Sequence, residues 1–289
     1  PVPSSAASDV YKRQVLGSTI SIHGHYNFYF LKRNLFLRIA TGIAYAENPY
    51  DIDTNPNNNA YGTHLLGSSY FMLGYNKKDI FKGVGLKAGL ALIHYSNSSV
   101  KSPNSSANTF AATLGVNYQI DANKQPTFTK TAGFDKIKQP IHFNMVLRGG
   151  IQEGRVIGLG QKPFVVVSGY ADKRLSFKSS IQVGVDAIFA KFLETEIAYS
   201  AAAFPAHGVT GDEDYKRVGV FVGYELHINK LSLIGQVGYY AYYPYKFEAR
   251  VYLRPGLKYY ITEKIFTVVT LKSHWASAEN VAFGVGFRI

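Results

Sequence analysis

The chain has no cysteine, only 2 methionines and 1 tryptophan among 289 residues, and nowhere a stretch of about 18 consecutive apolar residues. Without cysteine there is no disulfide framework and no thiolate to act as nucleophile or metal ligand. That composition fits an oxidising compartment such as a periplasm. Without a long apolar run there is no membrane-spanning helix. Charge is also sparse, at 17% of residues, and what there is leans basic: 31 Lys and Arg against 19 Asp and Glu, a formal net charge of +12. A basic chain suits an anionic partner, of which nucleic acid is the usual one. The Lys and Arg residues here are scattered about one per turn or strand rather than gathered on one face, so nucleic acid is not expected. His23, His25, His64, His142, His207 and His227 have no companions at ligand spacing, and no metal or organic cofactor is expected.

What the chain does have is 22 Tyr, 19 Phe and 27 Gly, at a mean hydropathy of −0.06. The apolar residues alternate with small or polar ones. The pattern recurs in Leu35, Leu37, Ile39, Ile43 and Tyr45; in Val84, Leu86, Leu90 and Leu92; in Phe177, Ile181, Val183, Val185 and Phe189; in Val218, Val220, Val222 and Tyr224; and in Val281, Phe283, Val285 and Phe287. Segments of about ten residues with this period of two, divided by turn chemistry, predict an all-β, transmembrane, antiparallel up-and-down β-barrel. Aromatics crowd the strand ends, as in Tyr239, Tyr240, Tyr242, Tyr243 and Tyr245, which reads as an interfacial girdle.

Short turns are expected at Lys32–Asn34, Asn76–Ile80, Ala171–Arg174, Asn229–Lys230 and Thr262–Lys264. Long loops are expected at Glu47–Gly62, Asn97–Ala107 and Ala190–Asp214. Asp121–Pro140 is long where alternation calls for a short periplasmic turn. The count is about thirteen strands, whereas single-chain bacterial barrels have an even number, so twelve to fourteen strands are expected, with one N-terminal strand missing. Residues 1–14, PVPSSAASDVYKRQ, show no period and read as a non-native scar; residues 15–289 are then the barrel.

Chemistry concentrates in HYSNSSVKSPNSSANTF, from His94 to Phe110. Two residues apart on a strand, His94 and Ser96 share one face about 6.5 Å apart at the backbone, and a serine beside a histidine is a nucleophile with its base. Parity places both on the apolar face of their strand and places Asn108, on the next strand, on the apolar face as well.

This segment, with its HYSN start, its Pro103-Asn104 pair and its Asn108, resembles the active-site segment of the outer-membrane lipid A 3-O-deacylases, the acyloxyacyl hydrolase family, and is most similar to the larger Bacteroidetes-type members. NPNNNAYGT (55–63) and LKSHWASAENVAFGVGFRI (271–289) support that branch. The resemblance implies a carboxylic ester hydrolase of the bacterial outer membrane. It would remove an ester-linked acyl chain from lipid A of lipopolysaccharide on the lipid-facing barrel wall, without a cofactor and with homodimerisation left open. It assigns Ser96 as nucleophile, His94 as general base, Asn108 as third member, and Asn97 and Asn104 as oxyanion or positioning groups. The chain departs from the family at three points. Asn108 stands where a glutamate is usual, Ser105 and Ser106 stand where a glycine is expected, and the last residue is Ile289 rather than an aromatic. Two alternatives stand beside the hydrolase: a non-catalytic lipopolysaccharide-binding or structural barrel, and a passive channel. Bulky Tyr240, Tyr242, Tyr252 and Phe266, expected in the lumen, argue against the channel. His274 is expected to point inward as a structural hydrogen-bond partner, and Asn55, Asn57, Asn58 and Asn59 to make loop turns.

Overall fold

The computed structural model describes residues 15–120, 139–275 and 277–289. The expected scar at 1–14, and all but the last two residues of the expected 121–140 connection, lie outside them. Among the described residues thirteen strands form: β1 Thr19–Phe30, β2 Leu35–Ala46, β3 Leu65–Phe81, β4 Val84–Ser96, β5 Ala107–Tyr118, β6 Ile141–Gln152, β7 Lys162–Ser176, β8 Ser179–Ala190, β9 Lys216–Ile228, β10 Leu231–Tyr242, β11 Val251–Tyr260, β12 Ile265–His274 and β13 Ser277–Arg288. One helix, α1 Phe192–Ala203, interrupts them between β8 and β9. Every pairing is antiparallel.

The strands are shared between two compact units, Pro1–Asn97 with Pro103–Lys130, and Ser98–Ser102 with Thr131–Ile289. In the first, β1 to β5 form a five-stranded meander. In the second, β6 to β13 close into a barrel of eight. Where the sequence predicts one ring, the ring therefore contains only eight strands. It is sealed by β13 on β6, with Phe283 opposite Gly149 and Phe287 opposite Met145.

The eight-stranded barrel inverts the pattern of a soluble protein. In the barrel, Phe143, Met145, Leu147, Val183, Val222 and Val285 are exposed, while Arg148, Asp186, Arg217, Glu225, Arg254, Lys258 and Lys272 are buried. An apolar exterior over a polar interior is what a hydrocarbon solvent selects, because strands in lipid must satisfy every backbone group among themselves.

The interior is filled rather than open. Arg254 meets Asp186 at 2.7 Å, Lys258 meets Glu225 at 3.1 Å, Arg217 meets Glu279 at 3.2 Å and Arg288 meets Asp172 at 2.9 Å. Arg148 donates to Ser168, whose hydroxyl in turn donates to Asp186. His274 lies inside as expected, its Nε2 2.7 Å from Glu279 and its Nδ1 2.9 Å from the Val251 carbonyl. Tyr240, Tyr252 and Phe266 are fully buried between these pairs. Tyr252 packs so closely over Gly238 that a Cβ there would fall 2.1 Å from its ring. A lumen packed with matched charges and rings disfavours a channel.

Tyr242 differs from expectation: it is exposed and donates to Asp214. A bulge between Tyr240 and Tyr242 on β10 breaks the alternation, and a one-residue slip sends a side chain to the opposite face. Two expected turns also prove to be strand. Asn76–Ile80 belongs to β3 and Ala171–Arg174 to β7, and the chain reverses at Lys82-Gly83 and Phe177-Lys178 instead. Ladder pairing keeps Ala171–Arg174 extended, whereas the β3 ladder is irregular between Lys77 and Phe81, where Asp79 takes φ 47°. Helix α1 was not expected either. Its Phe192, Leu193 and Ile197 join a buried cluster with Phe164, Ile188, Tyr240 and Tyr252 at one end of the barrel.

Candidate active site

In the first unit, β4 pairs with β5 without a register break from Val84 opposite Tyr118 to Tyr95 opposite Ala107. Its pairing with β3 is regular from Leu86 opposite Lys77 to Ser96 opposite Gly67. The parity set by the exposed Leu86 and Leu90 therefore runs unbroken to His94 and Ser96, which lie on that same face. His94 is directly opposite Asn108. Its Nδ1 lies 2.8 Å from the Asn108 Oδ1. Because that oxygen can only accept, the imidazole donates from Nδ1, and its neutral form then has its lone pair on Nε2.

Ser96 closes β4 and is 4% exposed. Its hydroxyl donates to Asn104 Oδ1 at 3.0 Å, and the same oxygen accepts the Asn97 backbone N–H at 3.0 Å. The Asn97 side chain is turned toward the Pro103 carbonyl at 3.5 Å. The five residues named from the sequence thus fall into two bonded sets: His94 with Asn108, and Ser96 with Asn97 and Asn104.

The loop that carries Asn104 is itself held. Ser105 and Ser106 donate their backbone N–H groups to the carbonyls of Asn59 and Ala60, at 3.0 and 2.9 Å. The Ser105 hydroxyl adds a bond of 2.7 Å to the Asn59 carbonyl. Ser106 adopts φ 65°, the left-handed region that glycine enters without strain. A serine standing where the family resemblance expects glycine is thus kept in a glycine-like conformation by this pairing.

The asparagine-rich loop between β2 and β3 is built from its own side chains. Asn55 donates to the carbonyls of Val15, Asn48 and Pro49. Asn58, fully buried, donates to the Asn48 carbonyl at 2.7 Å and accepts the N–H groups of Ala60 at 2.9 Å and Tyr61 at 3.4 Å. The buried Tyr61 donates to the Leu16 carbonyl at 3.3 Å, and burial pushes its phenol above the ordinary range. Sequence reasoning treats these asparagines as turn formers. It does not reveal that one of them fixes the strip on which the Asn104 loop rests, because that link is a contact between loops far apart in sequence.

In the second unit, Glu153 accepts the N–H groups of Ser102 at 2.8 Å and Gly160 at 3.1 Å.

Strands that present a hydroxyl, an imidazole and carboxamides at the end of an apolar face have the parts of an ester hydrolase carried on a membrane β-barrel. Two family matches give that class its identity: residues 141–289 match "Acyloxyacyl hydrolase, C-terminal domain" and residues 4–117 match "Lipid A 3-O-deacylase (PagL)". The chain belongs to this family of lipid A deacylases, and it is an ester hydrolase. No curated protein matches it. Similar solved structures include a de novo designed transmembrane β-barrel, 15% identical, covering 53% of this chain and 99% of its own, with a TM-score of 0.33. Another is a mutant porin of Rh. blastica, 8% identical, covering 94% of this chain and 90% of its own, with a TM-score of 0.22.

Proposed function

We propose that the protein hydrolyses an ester-linked acyl chain of lipid A at the bacterial outer membrane, on the outward face of β4 and β5, with Ser96 as nucleophile and His94 as general base. The observation that carries this reading is the His94–Asn108 bond of 2.8 Å on the same sheet face as Leu86 and Leu90. On that face the ester is met without drawing an acyl chain out of the hydrocarbon. The basic balance of the chain, +12, favours approach to the phosphates of lipid A.

The chemistry follows from the two bonded sets. The Ser96 hydroxyl turns from Asn104 toward His94, whose Nε2 takes the proton as Oγ attacks the ester carbonyl. Asn108 holds the Nδ1–H tautomer throughout. The Asn104 carboxamide keeps the Ser96 hydroxyl and the Asn97 backbone in register through its Oδ1, beside the carbon where an oxyanion develops. His94 then returns the proton to the departing sugar oxygen, leaving an acyl-serine that water cleaves by the same route.

A neutral Asn108 in place of an acid favours a second reading, a barrel that binds lipopolysaccharide without cleaving it. Mass spectrometry of lipid A from cells expressing the protein separates the two. Loss of one acyl chain with wild type, abolished in Ser96→Ala and in His94→Ala, is expected. Unchanged acylation with well-assembled wild type overturns the hydrolase and leaves the binding protein.

A further inference from the structure

We infer that Asn58, in the loop between β2 and β3, is a positioning residue for the Ser96 site and acts through Asn104. The inference rests on the reading of Ser96 as nucleophile, and goes beyond it by tying the rate to a residue that touches neither substrate nor Ser96.

The link is a chain of hydrogen bonds within the first unit. Asn58 is fully buried and both ends of its carboxamide are used: Nδ2 on the Asn48 carbonyl, Oδ1 on the N–H groups of Ala60 and Tyr61. These bonds set the direction of the Asn59 and Ala60 carbonyls, which accept the N–H groups of Ser105 and Ser106. Residue 104 is the next one along, and its Oδ1 holds the Ser96 hydroxyl and the Asn97 N–H, each at 3.0 Å. Apart from the 3.4 Å contact of Asn58 with the Tyr61 N–H, every link is 3.0 Å or shorter, and the pairing holds Ser106 at φ 65°. Loss of Asn58 frees the 59–60 strip, the 103–106 arm relaxes, and the Asn104 carboxamide moves relative to Ser96. A shift of about 1 Å at a catalytic group costs on the order of 10²-fold in rate.

Tyr61 provides the internal control. It sits in the same loop and is also buried, but its hydroxyl bonds to the Leu16 carbonyl and is no link in the bonds from Asn58 to Asn104.

The test uses the full chain folded in detergent with a short-chain p-nitrophenyl ester, which reports the chemistry without the lipid A headgroup. Asn58→Ala is expected to lower kcat on the order of 10²-fold with KM unchanged, while Tyr61→Phe lowers thermal stability and leaves kcat as in wild type. Should Asn58→Ala not assemble, Asn58→Asp decides: it keeps the acceptor for Ala60 and Tyr61 but not the donor, and about a tenfold loss of kcat is expected. Wild-type kcat in either assembled Asn58 variant overturns the inference, and so does a Tyr61→Phe loss as large as that of Asn58→Ala, which would mean general loosening of the loop. If wild type is inactive, or Ser96→Ala remains active, the assignment of the nucleophile fails first and takes this inference with it. If both behave and Asn58→Ala keeps its kcat, only the inference falls.

Discussion

Replacing Asn108 with aspartate should make a faster enzyme. Asn108 Oδ1 lies 2.8 Å from His94 Nδ1, so Asn108→Asp puts a carboxylate oxygen where the amide oxygen now sits, with almost no change in volume. In the proposed mechanism the neutral amide orients the imidazole but offers no charge to the imidazolium formed as Ser96 loses its proton. Two unit charges about 4 Å apart attract by about 4 kcal/mol at an effective dielectric constant near 20 and by about 1 kcal/mol in bulk water. Asn108 is exposed and His94 partly so, which places the gain toward the lower end, about 1–2 kcal/mol. That corresponds to a rise in kcat of about 5- to 30-fold. The assay is the initial rate on a short-chain p-nitrophenyl ester with detergent-folded protein, beside Asn108→Leu, which removes the acceptor and should cost at least about 10²-fold by releasing the tautomer. An assembled Asn108→Asp enzyme no faster than wild type, or Asn108→Leu at the wild-type rate, refutes the pairing as a catalytic one.

Three other outcomes follow from the same contacts. Asn104→Leu should lower kcat about 10²- to 10³-fold, as expected for losing one preorganised oxyanion or positioning group, with assembly unchanged as judged by heat-modifiable migration in gels. Glu196, on α1, is 7% exposed, and its Oε2 has no hydrogen-bond partner among the described residues. Burial raises its carboxyl above the ordinary range, so the folded state binds that proton more tightly than the unfolded chain. Stability is then full below the ordinary glutamate value and falls as pH rises through the raised one. Glu196→Gln should relieve the fall, raising the apparent Tm at pH 8 but not at pH 4, by on the order of 1 kcal/mol, or about 2–4 °C. Arg254→Met should destabilise the barrel by about 3–5 kcal/mol because it strands the buried Asp186 without its partner, and Arg254→Met with Asp186→Leu should recover most of that loss in thermal unfolding.

The parity of the strands could be read directly from the sequence because lipid and lumen impose opposite demands on alternate residues. The faces of Leu86, Val183, Val222 and Val285 follow from period alone. The period also puts His94, Ser96 and Asn108 on apolar faces, but it leaves open the register that sets His94 opposite Asn108. Parity fails where backbone geometry overrides pattern, as at the bulge that turns Tyr242 outward. Strand ends were misplaced at Asn76–Ile80 and Ala171–Arg174, where charged side chains say little about whether a ladder continues. The closure of only eight strands depends on the pairing of β13 with β6, a contact between strands far apart in the chain that no local pattern encodes. The ion pairs of the lumen have partners that no local pattern gives: Arg254 takes Asp186, Glu225 takes Lys258 and Glu153 takes backbone amides. The same limit hid Asn58, whose importance lies in a loop-to-loop strip and not in its own neighbourhood in sequence.

The most direct test of the account is to ask which residue an active-site-directed reagent marks. Detergent-folded protein treated with a long-chain alkylsulfonyl fluoride and digested should yield one modified site, Ser96, with labelling lost in His94→Ala and slowed in Asn104→Leu. Modification elsewhere, no modification of an enzyme that still deacylates lipid A, or undiminished labelling of Ser96→Ala would contradict it.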